Sequence, residues 1–276
     1  MVPLTSCRKT RRGGIKSRIL MLNIGRGSRL GNTHARIRAM GSMSIELGKN
    51  LARVHERIEL AASRAGRHAE DITLVAVSKT HSARKIKELY EAGIRHFGEN
   101  RVQERESKLA QVASLDAVWH MIGHVQKNKA ARAAGLFDSI DSVDSVELAE
   151  RLDRTRAGVP KEKRLRVLIE FKLDPEPAKS GVDEKELSRI VEAVLRLPHL
   201  ELHGLMGVPP YFDNPEETRV YFRRLRDLRD ALRSTRGTES LPVLSMGMSE
   251  DFDVAIEEGA TEVRVGTALF GEREQS

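Results

Sequence analysis

The chain has 276 residues, of which 39% are hydrophobic, 32% charged and 4% aromatic, with nine Pro, 21 Gly and one Cys. That balance excludes a disordered or collagen-like chain, the length suits one large domain or two small ones, and no run approaches the roughly 18 apolar residues of a membrane helix. The single thiol, Cys7, excludes an internal disulfide and a multi-thiolate metal site, and the net charge of +7 is unevenly spread.

Residues 1–42 hold ten basic side chains (Arg8, Lys9, Arg11, Arg12, Lys16, Arg18, Arg26, Arg29, Arg36 and Arg38) and no acidic one. Residues 43–276 then hold 37 basic (47 less ten) against 40 acidic, a net of −3. This basic leader has no lasting apolar period and is expected to be disordered. Three readings of it stay open: translation from a start codon set too far upstream, an organelle-targeting peptide, or an arm for anionic partners. It has no apolar segment followed by a cleavage pattern, which argues against secretion.

From Met43 the pattern becomes regular. Leu47, Leu51, Val54, Ile58, Ala61 and Ala65 mark one face of a helix that Gly66 stops. Leu74-Val75-Ala76-Val77 reads as a strand buried on both faces, and Ser82 to Gly93 as a capped helix. Strand-like runs fall at Leu74–Lys79, Ile94–Asn100, Val118–Gly123, Ser139–Val143, Arg166–Leu173, Glu201–Val208, Pro242–Gly247 and Glu262–Phe270. Between them, Asp183 with Glu186 resembles a capping box before Leu187, Ile190, Val191 and Val194. Asn214-Pro215 opens a helix with Tyr221, Leu225, Leu228 and Leu232 on one face, its arginines forming a solvated face with i,i+4 pairs. Ser249 with Glu250 and Asp251 starts another helix, closed by Gly259. Eight strands alternating with helices predict an α/β chain folded as a single (β/α)8 TIM barrel over residues 43–276, with an extra N-terminal helix. An open doubly wound sheet is the alternative, but no Gly-rich dinucleotide fingerprint follows the first strand.

Active sites of such barrels lie at the C-terminal strand ends. Here those ends carry Lys79, Glu99-Asn100, His120 with Gly123, Asp141, Lys172 with the loop Lys179-Ser180-Gly181, Met206 with Pro209-Pro210, Ser245 to Ser249, and Arg264 with Gly266-Thr267. A lysine among low-dielectric walls has the neutral amine that Schiff-base chemistry needs, although a lysine with a buried stem and a wet head would look the same in sequence. The loops after strands seven and eight are the usual phosphate cradle of the fold, although Gly and Ser are also ordinary turn residues. Lysine and cradle, set on opposite rims of the mouth, fit an aldehyde carrying a phosphate, for which pyridoxal phosphate is the candidate.

Seven ordered blocks carry a resemblance: AVSKT (Ala76–Thr80), FGENRVQE (Phe97–Glu104), WHMIGHVQKNK (Trp119–Lys129), KSGV (Lys179–Val182), GLMGVPP (Gly204–Pro210), SMGMSEDFDVAI (Ser245–Ile256) and VRVGTALFG (Val263–Gly271). With them the chain resembles the pyridoxal phosphate homeostasis protein (YggS/PROSC) family, which shares the barrel of the alanine racemase N-terminal domain. The leader has no counterpart in that resemblance. His124 and Val125 depart from it, where a small residue or Pro and then Leu are expected.

The resemblance implies that Lys79 holds pyridoxal 5'-phosphate as a Schiff base and that Ser245, Gly266 and Thr267 bind the phosphate. It implies that Arg264 faces the pyridine nitrogen, with a salt bridge to a barrel carboxylate as the other reading of that arginine. Asn100 and His120 would be wall residues. A guanidinium only donates hydrogen bonds, so it would keep the ring nitrogen unprotonated and restrain carbanion chemistry. His120 and His124 have the spacing of a helical zinc pair, but the strand context and Gly123 between them argue against a helix and no third ligand is evident, so no metal is expected.

The expected role is therefore a non-enzymatic, cytoplasmic, monomeric carrier that buffers the aldehyde and passes it to apo-enzymes, with no nucleic-acid or membrane partner. A pyridoxal-phosphate-dependent amino-acid racemase is the competitor. Two-domain alanine racemases draw a second base, a Tyr, from a C-terminal domain, whereas this sequence continues six residues past Phe270. A binder of nucleic acid or membrane surfaces through the leader is a third class, marked by salt-sensitive association lost with residues 1–42. Deleting those residues is expected to leave the circular-dichroism melting curve unchanged; loss of folding would show the leader to be part of the barrel.

Overall fold

The computed structural model describes residues 44–159, 163–174, 176, 180–234, 237–238 and 240–271; the leader and Lys179 lie outside them. The first helix, α1 (Ile45–Arg64), follows the predicted face: Leu47, Leu51, Val54, Ile58 and Ala61 are buried. Ser44 Oγ caps it by accepting from Leu47 N at 3.3 Å. Gly66, at φ 66°, lets the Arg67 amide turn back to the Ala62 carbonyl and end it.

Eight parallel strands follow: β1 (Thr73–Val77), β2 (His96–Glu99), β3 (Val118–Met121), β4 (Ser139–Val143), β5 (Leu165–Phe171), β6 (Leu200–Gly207), β7 (Val243–Ser245) and β8 (Glu262–Val265). Helices α2 (Ala83–Glu91), α3 (Val102–Val112), α4 (Ala130–Leu136), α5 (Val146–Arg156), α6 (Glu184–Leu195), α7 (Arg219–Leu232), α8 (Phe252–Glu257) and α9 (Thr267–Phe270) come one after each strand. Pairing runs in sequence order and closes β8 onto β1, with Leu74 opposite Val263 and Ala76 opposite Val265. The strand count and the barrel are as predicted. Closure makes β1 and β8 hydrogen-bonded neighbours, so Lys79 and the turn after β8 stand side by side and not on opposite rims.

Alternation along each strand divides the side chains into two sets. Ala76, Phe97, Trp119, Ile140, Ile169, Leu205 and Val265 face outward into one apolar layer shared with the helices. Full burial of each Phe, Ile, Leu or Val side chain among them stabilises the fold by about 1.5–3 kcal/mol, and of the Ala76 methyl by less. The inward set pairs a few apolar residues (Val75, Val77, Leu168, Met206) with buried polar ones, among them His120, Asp141, Ser245, Glu262 and Arg264. The filling of this barrel is thus partly charged, in place of the usual branched aliphatics.

Three local expectations change. The eighth strand was predicted to reach Phe270, but it ends at Val265; Gly266 breaks it and Thr267–Phe270 turns as α9. The buried face of α7 is Phe222, Leu225, Arg229 and Leu232, with Tyr221 at its margin. Its arginines pair mainly with other elements. Arg219, Arg223 and Arg226 lie 3.0, 3.1 and 2.8 Å from the Glu258 carboxylate, and Arg219 also meets Glu257 and Glu216. Arg224 meets Glu184, and Arg229 and Arg233 meet Asp230. The extra helix α1 covers α8 and α9, tied by Arg57 to Asp253 at 2.7 Å and by Asn50 to the Leu269 carbonyl at 3.2 Å.

Between β5 and β6 the register slips, so that Val167 opposes Leu202 while Leu168 opposes Gly204. A Cβ on Gly204 would stand 1.8 Å from the Val243 carbonyl oxygen. Gly204→Ala should therefore part β6 from β7 and cost about 3 kcal/mol or more, read as a lower urea midpoint at unchanged slope.

Candidate functional site

Lys79 stands two residues beyond the end of β1 and is half-buried. It continues the inward parity of Val75 and Val77. The Ser78 carbonyl accepts from His81 N at 3.1 Å, which makes Ser78–His81 a tight turn with Lys79 as its second residue. Thr80, the third, has φ 64° and is the only non-glycine at positive φ among the described residues. His81 stacks on Phe270 of α9, with ring centroids 4.4 Å apart and planes 9° from parallel. The turn that carries Lys79 therefore rests directly on the segment after β8.

Gly266 and Thr267 supply the adjacent corner. An ideal Cβ on Gly266 would lie 3.5 Å from Val77 Cβ, so the β8 exit runs alongside the β1 exit. The loop after β7 completes this corner. Gly247, at φ 90°, is placed where any Cβ would come within 2.6 Å of Ala255 Cβ, and its carbonyl accepts from Arg264 N at 3.0 Å. Ser249 Oγ accepts from Ala268 N at 3.2 Å, joining the two loops. Asp251 Oδ1, not Ser249, accepts from Met248 N in the turn before α8. Ser245 points elsewhere: it is fully buried and its Oγ accepts from Arg264 Nη1 at 2.7 Å. The hydroxyls at the loop corner are those of Thr267 and Ser249. The sequence carried both serines in one block, and only the strand end at Ser245 separates an inward residue from a loop residue.

Arg264 lies below this corner, 4% exposed, and Nη2 donates to the Gly207 carbonyl at 3.0 Å. Its hydrogen bonds go to a hydroxyl and a carbonyl, while Glu262, Asp141, Glu170 and Asp251 surround it as a field of carboxylates. Deeper still, His120 links the interior charges. Its Nδ1 lies 2.8 Å from Asp141 Oδ2 and 3.8 Å from Glu262 Oε2, and its Nε2 lies 2.9 Å from His96 Nδ1. Burial disfavours its cationic form, but Asp141 and Glu262 outweigh that and lift its pKa to about 9. Burial and the charge of His120 together push His96 down to about 4. His120 is then an imidazolium that donates to both Asp141 and His96. It is opposite Gly98 in the strand register and buried in the barrel interior. His124 is on the loop beyond, paired with Asp144 at 2.9 Å and half-exposed, so the two histidines do not converge. His120, Asp141 and Glu262 also cluster tightly enough to hold an ion; the positive charge on His120 offsets one of the two carboxylates.

Asn100 takes the β2 exit next to Lys79; its backbone N–H donates to Glu104 Oε2 at 3.1 Å. Gly123 approaches its carbonyl so closely that a Cβ there would be 2.3 Å away. Glu170, which the sequence did not single out, carries a carboxyl whose Oε2 has no hydrogen-bond partner. Burial and then Asp144 raise its pKa to about 7. The described part of KSGV folds over the end of its strand, with Val182 N donating to the Glu170 carbonyl at 2.8 Å.

The family model of the alanine racemase N-terminal domain matches residues 50–274. The pyridoxal phosphate homeostasis protein of Aquifex aeolicus (strain VF5) is 44% identical over 227 residues, covering 82% of this chain and 97% of the relative. Its namesake in Pseudomonas aeruginosa is 42% identical over 229 residues, covering 83% and 96%. The structure of PipY from Synechococcus elongatus PCC7942 with PLP bound superposes with a TM-score of 0.69 at 40% identity, over 79% of this chain and 100% of that one. An alanine racemase from Corynebacterium glutamicum has a TM-score of 0.57 at 22% identity, over 80% of this chain and 61% of that one, a likeness of fold alone. Among the described residues no helix is long and apolar enough to cross a membrane.

The His120 network has a pH signature. A histidine whose folded pKa is raised from 6.5 to about 9 contributes stability that is complete below 6.5 and lost as pH rises through 9. Glu170, raised from 4.5 to about 7, acts at lower pH. Unfolding free energy should therefore fall between pH 7 and 9 by up to about 1.4 kcal/mol per unit, and His120→Asn should flatten that slope in urea titrations.

Proposed function

The chain belongs to the alanine racemase N-terminal-domain family, among its pyridoxal phosphate homeostasis proteins, and we propose that it binds pyridoxal 5'-phosphate (PLP) reversibly through Lys79. The observation that carries this reading is the placing of Lys79 and Gly266-Thr267 on hydrogen-bonded neighbours, β1 and β8, above the buried Arg264. PLP carries its aldehyde and its phosphate arm on adjacent ring carbons, and neighbouring strands are about 4.8 Å apart. An amine and an anion-binding corner on adjacent strand ends suit that ortho pair, and the ring nitrogen, para to the aldehyde, is left for a donor elsewhere in the barrel. The donor set matches as well: an amine for the aldehyde, hydroxyls and backbone N–H groups for the phosphate, and a guanidinium for the nitrogen.

When bound, the cofactor supplies an electrophilic carbonyl and a conjugated ring. Every other contribution is the protein's. Lys79 provides the attachment amine. Gly266, Thr267 and Ser249 form the phosphate corner. Ser245 holds one arm of Arg264 and the Gly207 carbonyl holds another, so Ser245 acts on the site through that arginine. Asn100 closes the β2 side, and His120 with Glu262 and Asp141 balances charge beneath. Arg264 offers no proton acceptor, so it keeps the ring nitrogen unprotonated and the bound ring a weak electron sink. That favours a carrier over a racemase. The protein would buffer free PLP in the cytoplasm and release it to apo-enzymes that need it.

Borohydride reduction of the purified, PLP-loaded chain followed by peptide mapping should label Lys79. Lys79→Ala should lose both the visible absorbance and the label while melting as wild type, and amino-acid racemisation by the wild type should not exceed that of the variant. A trappable cofactor retained by Lys79→Ala would overturn the assignment.

A further inference from the structure

Behind the wall that carries Lys79 lies a buried ion pair, Glu99 with Lys108, on the side of β2 that faces the helices. Glu99, fully buried at the outward face of β2, accepts from Lys108 Nζ at 2.8 Å and from Ser78 Oγ at 2.8 Å. Lys108 reaches inward from α3 and also donates to the Ser78 carbonyl at 2.7 Å. Ser78 N donates to the Gly98 carbonyl at 2.9 Å. All three polar groups of Ser78 are thereby fixed by β2 and α3. Its carbonyl is also the one that closes the turn around Lys79 and Thr80.

Two physical points say what this arrangement is for. A buried ion pair is seldom worth more to stability than an apolar pair of equal volume, and here Glu99 Oε2 is left with no partner. The turn it grips contains a β-branched residue at φ 64°, a conformation that threonine does not adopt unless its surroundings impose it. We propose that the Glu99–Lys108 pair is a positioning device for Lys79, anchoring the Ser78 carbonyl so that the amine is aimed at the PLP aldehyde, and that it takes no part in gripping ring or phosphate. The inference rests on Lys79 being the attachment residue. In the step concerned, the amine attacks the aldehyde carbon, the carbonyl oxygen leaves as water and a C=N bond remains, with no change of oxidation state; hydrolysis reverses it.

Pyridoxine 5'-phosphate, which has an alcohol in place of the aldehyde, separates aim from grip because it offers the same ring and phosphate but cannot form the C=N bond. The full chain would be compared with Glu99→Met/Lys108→Met, which replaces the pair by apolar side chains, and with Glu99→Gln, which keeps the shape of the acid. For the double variant, the rate of PLP attachment and the borohydride-trapped fraction should fall about tenfold, while pyridoxine 5'-phosphate affinity changes by less than about twofold, with Glu99→Gln intermediate. Melting curves for both variants show which of them is folded; if the double variant is not, the same comparison on Glu99→Gln decides. Unchanged attachment, or equal weakening of both ligands, would sink the positioning role alone. Absence of label at Lys79 in the wild type would sink it together with the attachment reading.

Discussion

The hydrogen bonds between β1 and β8 are the constraint on which the rest of this structure depends. They make the first and last strands neighbours, so residues almost two hundred positions apart in sequence share one corner of the mouth. The Lys79 turn rests on α9 through the His81–Phe270 stack, and Gly266 runs along Val77. Both parts of the site are therefore borne by one ladder of backbone hydrogen bonds. Parallel ladders of this kind do not slip without turning every inward residue outward, which gives the corner its fixed spacing.

Below the corner the barrel is filled with charge, and that filling needs internal balance. Arg264 and the imidazolium of His120 stand among Asp141, Glu170, Glu262 and Asp251, with burial raising the pKa of the last three acids. Buried charges are costly unless each has a partner, and removal of one leaves another exposed to the low dielectric. The interior is thus a coupled set. Arg264 is held by Ser245 and Gly207 at its head and by the carboxylates around it, which keeps the guanidinium in place with or without an occupant above.

Much of the architecture was legible in the sequence because α/β barrels write each strand as a short apolar run between helix signals. The errors have local causes. Leu269 and Phe270 extend the apolar run of β8, but Gly266 permits the break that turns them into a helix. Tyr221 and Phe222 compete for one helical face, and the residue without a hydroxyl takes the interior. Ser245 and Ser249 look alike in sequence, and only the end of β7 between them sends one to Arg264 and the other to Ala268. His120 was visible as a strand-end residue, but its depth depends on barrel shear, which no single-strand pattern encodes. The Glu99–Lys108 pair joins a strand to the next helix across nine residues, a spacing that matches neither period, and Glu170 gives no signal apart from its place on an inward face.

The arginines of α7 would suggest a cationic surface to anyone reading composition. In the folded chain all six between Arg219 and Arg233 have a carboxylate within reach, and Glu258 alone receives three of them. A polyanion gains affinity by liberating small ions condensed around unpaired charge, and it is steered from a distance by an unbalanced field. This helix carries its counter-charges as part of the fold. It therefore has few mobile ions to liberate and casts little long-range pull on passing polyphosphates.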